Sequence, residues 1–291
     1  MAAGSTRRKR KLGRYMKALR QRRQPTLIPE RVAELARCAR PTVTRMEAGT
    51  VLPRIHLFSS LLGVYGVTEE ERAEALRLWE HASSDTTTIE HADHFTPKYQ
   101  AFRRDEADAV RERTMDPVAI PGLLQTAAYA SAVADGAALF NKQRPDGWEL
   151  RAAVERQARQ QLLRAPGSLE LHALIDEAVI RRVVGGRAVM AEQLRYLLSA
   201  GSRENVTIQL VPFGAGAYGA MSGPVILLGF EDPEDQDLVY LEHAAGGESL
   251  EDEEDVAAFS DTFDQVSRDV ALPPTHSAVL IGNVLSALEG R

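Results

Sequence analysis

Arg40-Pro-Thr-Val-Thr-Arg-Met-Glu-Ala-Gly-Thr50 reads as a short helix with its own stop signal. Val43 and Met46 stand three apart, the spacing that puts two side chains on one helical face, and Gly49 supplies a C-terminal break. Arg40, Thr42, Thr44 and Arg45 fall on the other face. Just upstream, Glu30-Arg-Val-Ala-Glu-Leu-Ala36 predicts a second helix, leaving a turn of only about three residues between the two. Two short helices closed this tightly, the second carrying arginine and threonine outward, are what a helix-turn-helix needs to lay one helix in the DNA major groove.

The charge distribution points the same way. The chain carries −6 overall, but residues 1–60 hold 15 Lys/Arg against 3 Asp/Glu, and residues 61–291 hold 20 against 38. A basic block joined to an acidic one fits a nucleic-acid module attached to a part that must not bind nucleic acid. The only cysteine, Cys38, excludes a disulfide framework and a cysteine-based zinc site, and it falls where the interhelical turn buries a small residue. No apolar run approaches the roughly 18 residues of a membrane span, so the expected location is cytoplasmic.

Outward from the motif, Leu12, Tyr15, Met16 and Leu19 share one face of a first helix. Ile55, Phe58, Leu61, Leu62 and Tyr65 mark a fourth, ended by Gly66. Thr68 opens a fifth, with Leu76 and Trp79 facing in. This predicts a five-helix, lambda-repressor-like all-α domain over residues 12–82, preceded by a basic arm (1–11) and followed by a polar linker (83–96). Residues 97–291 alternate helical patterns (97–106, 126–138, 146–164, 188–200, 252–269, 274–288) with strand-like runs (109–113, 169–175, 206–211, 225–230, 238–242). That predicts an α+β domain with a mixed sheet, serving as an effector or dimerisation unit.

The residues assigned to DNA are Arg40, Thr42, Thr44, Arg45, Thr50 and Arg54. Arginine reads guanine through O6 and N7, and Arg45 is the first choice for a base contact, with Arg40 fitted equally to a phosphate. Thr50 and Arg54 follow the helix and fit backbone contacts. Ala33, Val43, Met46, Glu47 and Gly49 are assigned to the motif's structure.

Residues 204–267 contain 15 Asp/Glu and no Lys or Arg. Such a segment repels phosphate; it is either a solvated acidic loop or a docking surface for a basic partner, with Asp252, Glu253, Glu254 and Asp255 as the candidate contacts. Enzyme chemistry is not expected. Gly214-Ala-Gly-Ala-Tyr-Gly219 satisfies a dinucleotide fingerprint, but Ser222-Gly-Pro224 breaks the helix that fingerprint must open. His91, Asp93 and His94 lie in the linker without a further ligand, and Asp176-Glu177 reads as a helix cap rather than an acid/base pair. No cofactor or metal is expected.

Taken in order, these residues resemble the actinobacterial Xre-type helix-turn-helix regulators that carry a conserved C-terminal domain of unknown function, the WhiJ-like group. The resemblance rests on Val32-Ala33, Val43-Thr-Arg-Met-Glu-Ala-Gly49, Pro53 and Leu61-Leu-Gly-Val-Tyr-Gly-Val67 in the first domain. In the second it rests on Ile120-Pro-Gly-Leu-Leu-Gln-Thr126, Tyr129-Ala130, Glu155-Arg-Gln-Ala-Arg-Gln160, Asp176-Glu-Ala-Val-Ile-Arg-Arg182, Gly185-Gly186, Val206-Thr-Ile-Gln-Leu-Val-Pro212 and Val239-Tyr-Leu-Glu242. It implies a transcriptional regulator of double-stranded DNA with a small protein partner, and it implies that Glu47 pairs with a first-helix arginine, here Arg20. The departures are Ile28-Pro29 where the group has Thr-Gln, Ala39 where it has a capping serine, Arg37 where it has a turn glycine, and an Arg22–Leu27 loop about two residues longer. A homodimer is expected, because one recognition helix spans too few base pairs for specificity. A metabolite-sensing C-terminal domain and an antitoxin-like, autoregulating sequestering protein are the alternatives.

Overall fold

The structure, a computed structural model, describes residues 7–23, 25–83, 95–137, 148–164, 168–219, 221–232, 235–243 and 246–290. Leu12, Met16 and Leu19 are all buried, and around that stripe α1 runs from Arg7 to Arg22. The helix therefore begins inside the stretch read as a basic arm. Arginine and lysine are good helix formers, and Arg7 is itself buried. α2 (Pro29–Leu35), α3 (Arg40–Glu47), α4 (Ile55–Tyr65) and α5 (Glu69–Ser83) follow.

Val32, Val43, Met46, Phe58, Leu61, Leu62, Tyr65 and Leu78 close one core with the α1 stripe. Gly66 ends α4 in the left-handed region at φ 61°. Thr68 and Glu71 then form a reciprocal cap at the start of α5. The Thr68 N–H donates to Glu71 Oε2 at 2.9 Å, and the Glu71 N–H donates to Thr68 Oγ1 at 3.3 Å. Arg22 pairs with the same carboxylate, and with the Thr68 N–H it holds Glu71 down to about 2. Trp79 stacks on Phe58 and donates its indole N–H to the Pro53 carbonyl at 2.9 Å, which pins the α3–α4 connection.

A second compact unit follows, carrying α6 (Pro97–Asp108), β1 (Arg111–Asp116), α7 (Ala127–Ala137), α8 (Trp148–Gln160), β2 (Glu170–Asp176), α9 (Glu177–Arg181), α10 (Arg187–Ala200) and β3 (Val206–Val211). β4 (Val225–Gly229), β5 (Leu238–His243), β6 (Gly246–Leu250), α11 (Glu253–Gln265) and α12 (Pro274–Glu289) complete it. The expected linker lies outside the described residues at positions 84–94.

The mixed sheet has the order β3-β2-β1-β4-β5-β6. β1, β2 and β3 are parallel, and β4, β5 and β6 continue antiparallel from β1. α7, α10 and α12 cover one face over Ala173, Ile175, Ile208 and Leu210, while Phe263 and Val266 cover the other over Met115, Leu227 and Val239.

Two differences from the sequence reading stand out. β1 runs Arg111–Asp116 rather than 109–113, because its inward positions Glu112, Thr114 and Asp116 are polar and give no apolar alternation. β6, with the sequence Gly-Gly-Glu-Ser-Leu, was not expected at all; Glu248 therefore sits in a strand rather than a loop.

The outer edge of β3 is closed by the chain entering α12. The Leu272 N–H donates to the Leu210 carbonyl at 2.8 Å, and the Leu210 N–H donates to Ser277 Oγ at 2.9 Å. Gly214–Gly219 lies between β3 and β4, so the glycine-rich stretch joins two strands. No helix among the described residues is long and apolar enough to cross a membrane.

Candidate nucleic-acid interface

α2 and α3 are joined through a tight turn in which the Cys38 N–H returns to the Ala33 carbonyl at 2.9 Å. The turn needs a residue in the left-handed region, and Arg37 supplies it at φ 53°. Ile28 and Ala39, the residues ahead of the two helices, contribute no side-chain cap, as their apolar side chains dictate. Pro29 and Pro41, in the first turns, reduce the number of N–H groups left to satisfy there.

Val43 and Met46 are fully buried, which fixes the rotation of α3. Arg40 and Arg45 are exposed on its other side, and Thr42 and Thr44 are half-buried between them. Arg45 and Arg54 have no ion-pair partner among the described residues. Arg40 instead pairs with Glu30 at 2.6 Å across the open side of the turn. The exposed Thr50 donates its hydroxyl to the Arg45 carbonyl at 3.0 Å and so finishes α3. Arg54 stands at the start of α4 and is exposed.

The structural residues hold this face in place. Glu47 accepts from Arg20 Nε at 2.6 Å and Nη2 at 2.8 Å, and Arg20 Nη1 donates to the Leu27 carbonyl at 2.7 Å. Gly49 turns at φ 67°; a Cβ there would sit 2.6 Å from the backbone of Arg10. A Cβ on Gly13 would sit 2.6 Å from the carbonyls of Met46 and Glu47. Two glycines thus let α1 run flush against the end of α3. This brings the basic half of α1, which includes residues 7–11 of the expected arm, beside the candidate interface.

In the second unit, Asp252 caps α11, accepting from the Glu254 and Asp255 N–H groups at 3.1 and 3.4 Å. Glu253, Glu254 and Asp255 make up the first helical turn, where negative charge complements the helix dipole. Glu253 also lines an open cleft of about 780 Å³ with Arg111, Glu231, Asp232, Asp235, Asp237 and Glu251. Two acidic runs that lie apart in the sequence therefore converge on one surface.

Asp176 caps α9 and accepts from the Tyr218 hydroxyl at 2.9 Å; Glu177 pairs with Arg181 and accepts from the Phe213 N–H. Both carboxylates are engaged in holding the backbone. His91, Asp93 and His94 lie outside the described residues. Among the described residues, no group of three or more His, Cys, Asp or Glu is placed to hold a metal ion.

α6 and α8 share a buried ionic cluster that nothing in the sequence spacing foretells. Arg103 pairs with Glu106 and Glu155, and Arg159 pairs with Glu106. Burial opposes the charge on Glu106, but Arg159 and Arg103 outweigh it and hold its pKa low. Glu112, buried beside Glu106, is pushed up instead, and burial raises Asp116 to about 7 with Glu242 adding to it. For Glu112 and Asp116 the available signal was Glu112-Arg-Thr-Met-Asp116, a strand pattern with its polar residues on the inward side.

Residues 11–75 match the family described as a helix-turn-helix domain, and residues 99–283 match a domain of unknown function, DUF5753. No curated protein and no solved structure matches the chain.

Proposed function

Because the chain belongs to the DUF5753 family and carries a helix-turn-helix domain ahead of that region, we propose that it is a sequence-specific, DNA-binding transcriptional regulator of the Xre type. The observation that carries this reading is α3 itself. Its apolar side is locked into the core by Val43 and Met46, and Arg45, Arg40, Thr42 and Thr44 lie on the side turned away. Arg45 reads a base edge, Thr50 and Arg54 hold the backbone, and Arg40 exchanges Glu30 for a phosphate. The protein acts as a homodimer on half-sites about 10 base pairs apart.

The C-terminal domain is a non-catalytic effector unit. Its acidic cleft receives the basic face of a small protein partner, and complementary charge speeds that encounter. The test is selection of duplexes from a randomised library by the full-length protein, followed by titration at several salt concentrations. Recovery of a two-fold site, with affinity falling steeply with salt, supports the reading. Recovery of no preferred sequence overturns it.

A further inference from the structure

Of the sixteen residues of α1, nine are basic and none is acidic. Arg20 pairs with Glu47 and Arg22 with Glu71; a further seven lie between Arg7 and Lys17. Such a density of like charge is not what a helix favours. Cations in a first turn face the positive end of the helix dipole, and like charges three and four apart repel. Nor is it placed at random. Gly13 and Gly49 have no room for a Cβ, so α1 lies against the end of α3 with the Arg10 backbone and stem directly over Gly49. Thr50 is the next residue, and the connection leads on to Arg54.

From this juxtaposition we infer that the basic half of α1, with Lys9, Arg10 and Arg14 at its centre, is a second clamp on the DNA backbone. It continues the Thr50–Arg54 contact and reaches phosphates beyond the base pairs read by α3. The inference rests on the DNA-binding reading above and extends it to a different element. Polyphosphate backbone is the partner that fits. Lys9, Arg10 and Arg14 stand on the element packed against the end of α3, outside the helix assigned to base edges, so they add affinity without sequence preference.

The test uses the full-length protein and two duplexes: the one it selects from a random library and a scrambled version of it. Lys9→Gln, Arg10→Gln and Arg14→Gln, singly and together, keep helix-forming side chains and remove charge. A control on another element removes Arg72 and Arg77 from α5, to be compared with the double variant Lys9→Gln, Arg10→Gln as well as with the triple. Each variant's melting temperature is compared with that of the parent. Neutralising one phosphate contact flattens the slope of log affinity against log salt by about 0.9. The triple variant is expected to flatten it by roughly 2–3 on both duplexes, leave the ratio between duplexes unchanged, and differ from the control pair. Because the single variants perturb folding least, each should flatten it by about 1.

A triple variant with the parental slope overturns the clamp while leaving DNA binding by α3 intact. A changed ratio between duplexes also overturns it, because α1 would then be reading bases. A parent that binds neither duplex overturns both readings. Loss of binding to anionic lipid vesicles with an unchanged DNA slope assigns the surface to a membrane and overturns the clamp.

Discussion

Arg20 and Glu47, 27 positions apart, meet through two near-parallel hydrogen bonds of 2.6 and 2.8 Å, with both side chains almost wholly buried. The pair fastens α1 to the last turn of the helix that presents Arg45. Glu47→Ala leaves the guanidinium buried without its counter-charge. We expect a loss of about 3–5 kcal/mol in the stability of the N-terminal unit, measured by urea unfolding followed at Trp79. A loss below about 1 kcal/mol, the range of exposed pairs, would show that the contact is solvated.

Arg45→Ala should cost roughly 1–3 kcal/mol of affinity and relax discrimination at one base pair. Competition titrations with duplexes changed one position at a time give the readout. Uniform weakening across the set would move Arg45 to a phosphate.

Arg37 occupies the left-handed region at φ 53°, where a Cβ is unfavourable and glycine is not. Arg37→Gly should raise the thermal stability of the N-terminal unit by the equivalent of about 1 kcal/mol. Calorimetry showing a lower melting temperature would mean that the Arg37 side chain contributes more than its backbone costs.

Asp116 accepts from Thr114 and is buried near Glu242; burial first, and Glu242 second, push it up to about 7. An unfolded aspartate titrates near ~3.9. Between those values the folded state keeps a proton that the unfolded chain has released, so stability falls as pH rises from about 4 to 7, by up to roughly 1.4 kcal/mol per unit. Above that window the loss is complete. Glu112, also pushed up by burial, acts with the same sign. In Asp116→Asn a neutral amide replaces the protonated acid. Its melting temperature should match the parent near pH 4 and exceed it at pH 8. A difference that stays constant across this range would remove Asp116 as the source.

The combined variant Asp252→Asn, Glu253→Gln, Glu254→Gln, Asp255→Asn preserves side-chain shape and the α11 cap acceptor. Surface plasmon resonance against partners captured by the parent should show slower association, with DNA affinity of the isolated protein nearly unchanged. Identical association rates would make the segment an ordinary solvated helix start.

The helix-turn-helix was legible because its two requirements are local: Val43 and Met46 set a face, and Gly49 sets an end. The Arg20–Glu47 contact was legible only through resemblance, since nothing in the spacing of two charged residues in different helices foretells it. β1 was displaced in the sequence reading because a strand whose inward residues are Glu112, Thr114 and Asp116 inverts the usual pattern. The ionic cluster near it, Arg103, Glu106, Glu155 and Arg159, is drawn from two helices far apart in the sequence. β6 has two glycines and a single large apolar residue; its existence depends on pairing with β5. Residues 7–11 read as an arm because only the packing of α1 on α3, through Gly13 and Gly49, gives them a place.

The closure of β3 by Leu272 and Ser277 sets an order on biosynthesis. The N-terminal unit draws its core from residues within the first 83 positions, so that core is complete early in translation. The sheet cannot. Until residues 272–277 have left the ribosome, the outer N–H and C=O of Leu210 stand open on a strand edge beside a largely apolar face, the condition under which strands recruit foreign chains. A ribosome stalled between Val211 and Leu272 would therefore carry a domain competent for DNA tethered to a sticky, half-made sheet. Chaperone demand during synthesis should be concentrated in that interval and end when α12 emerges.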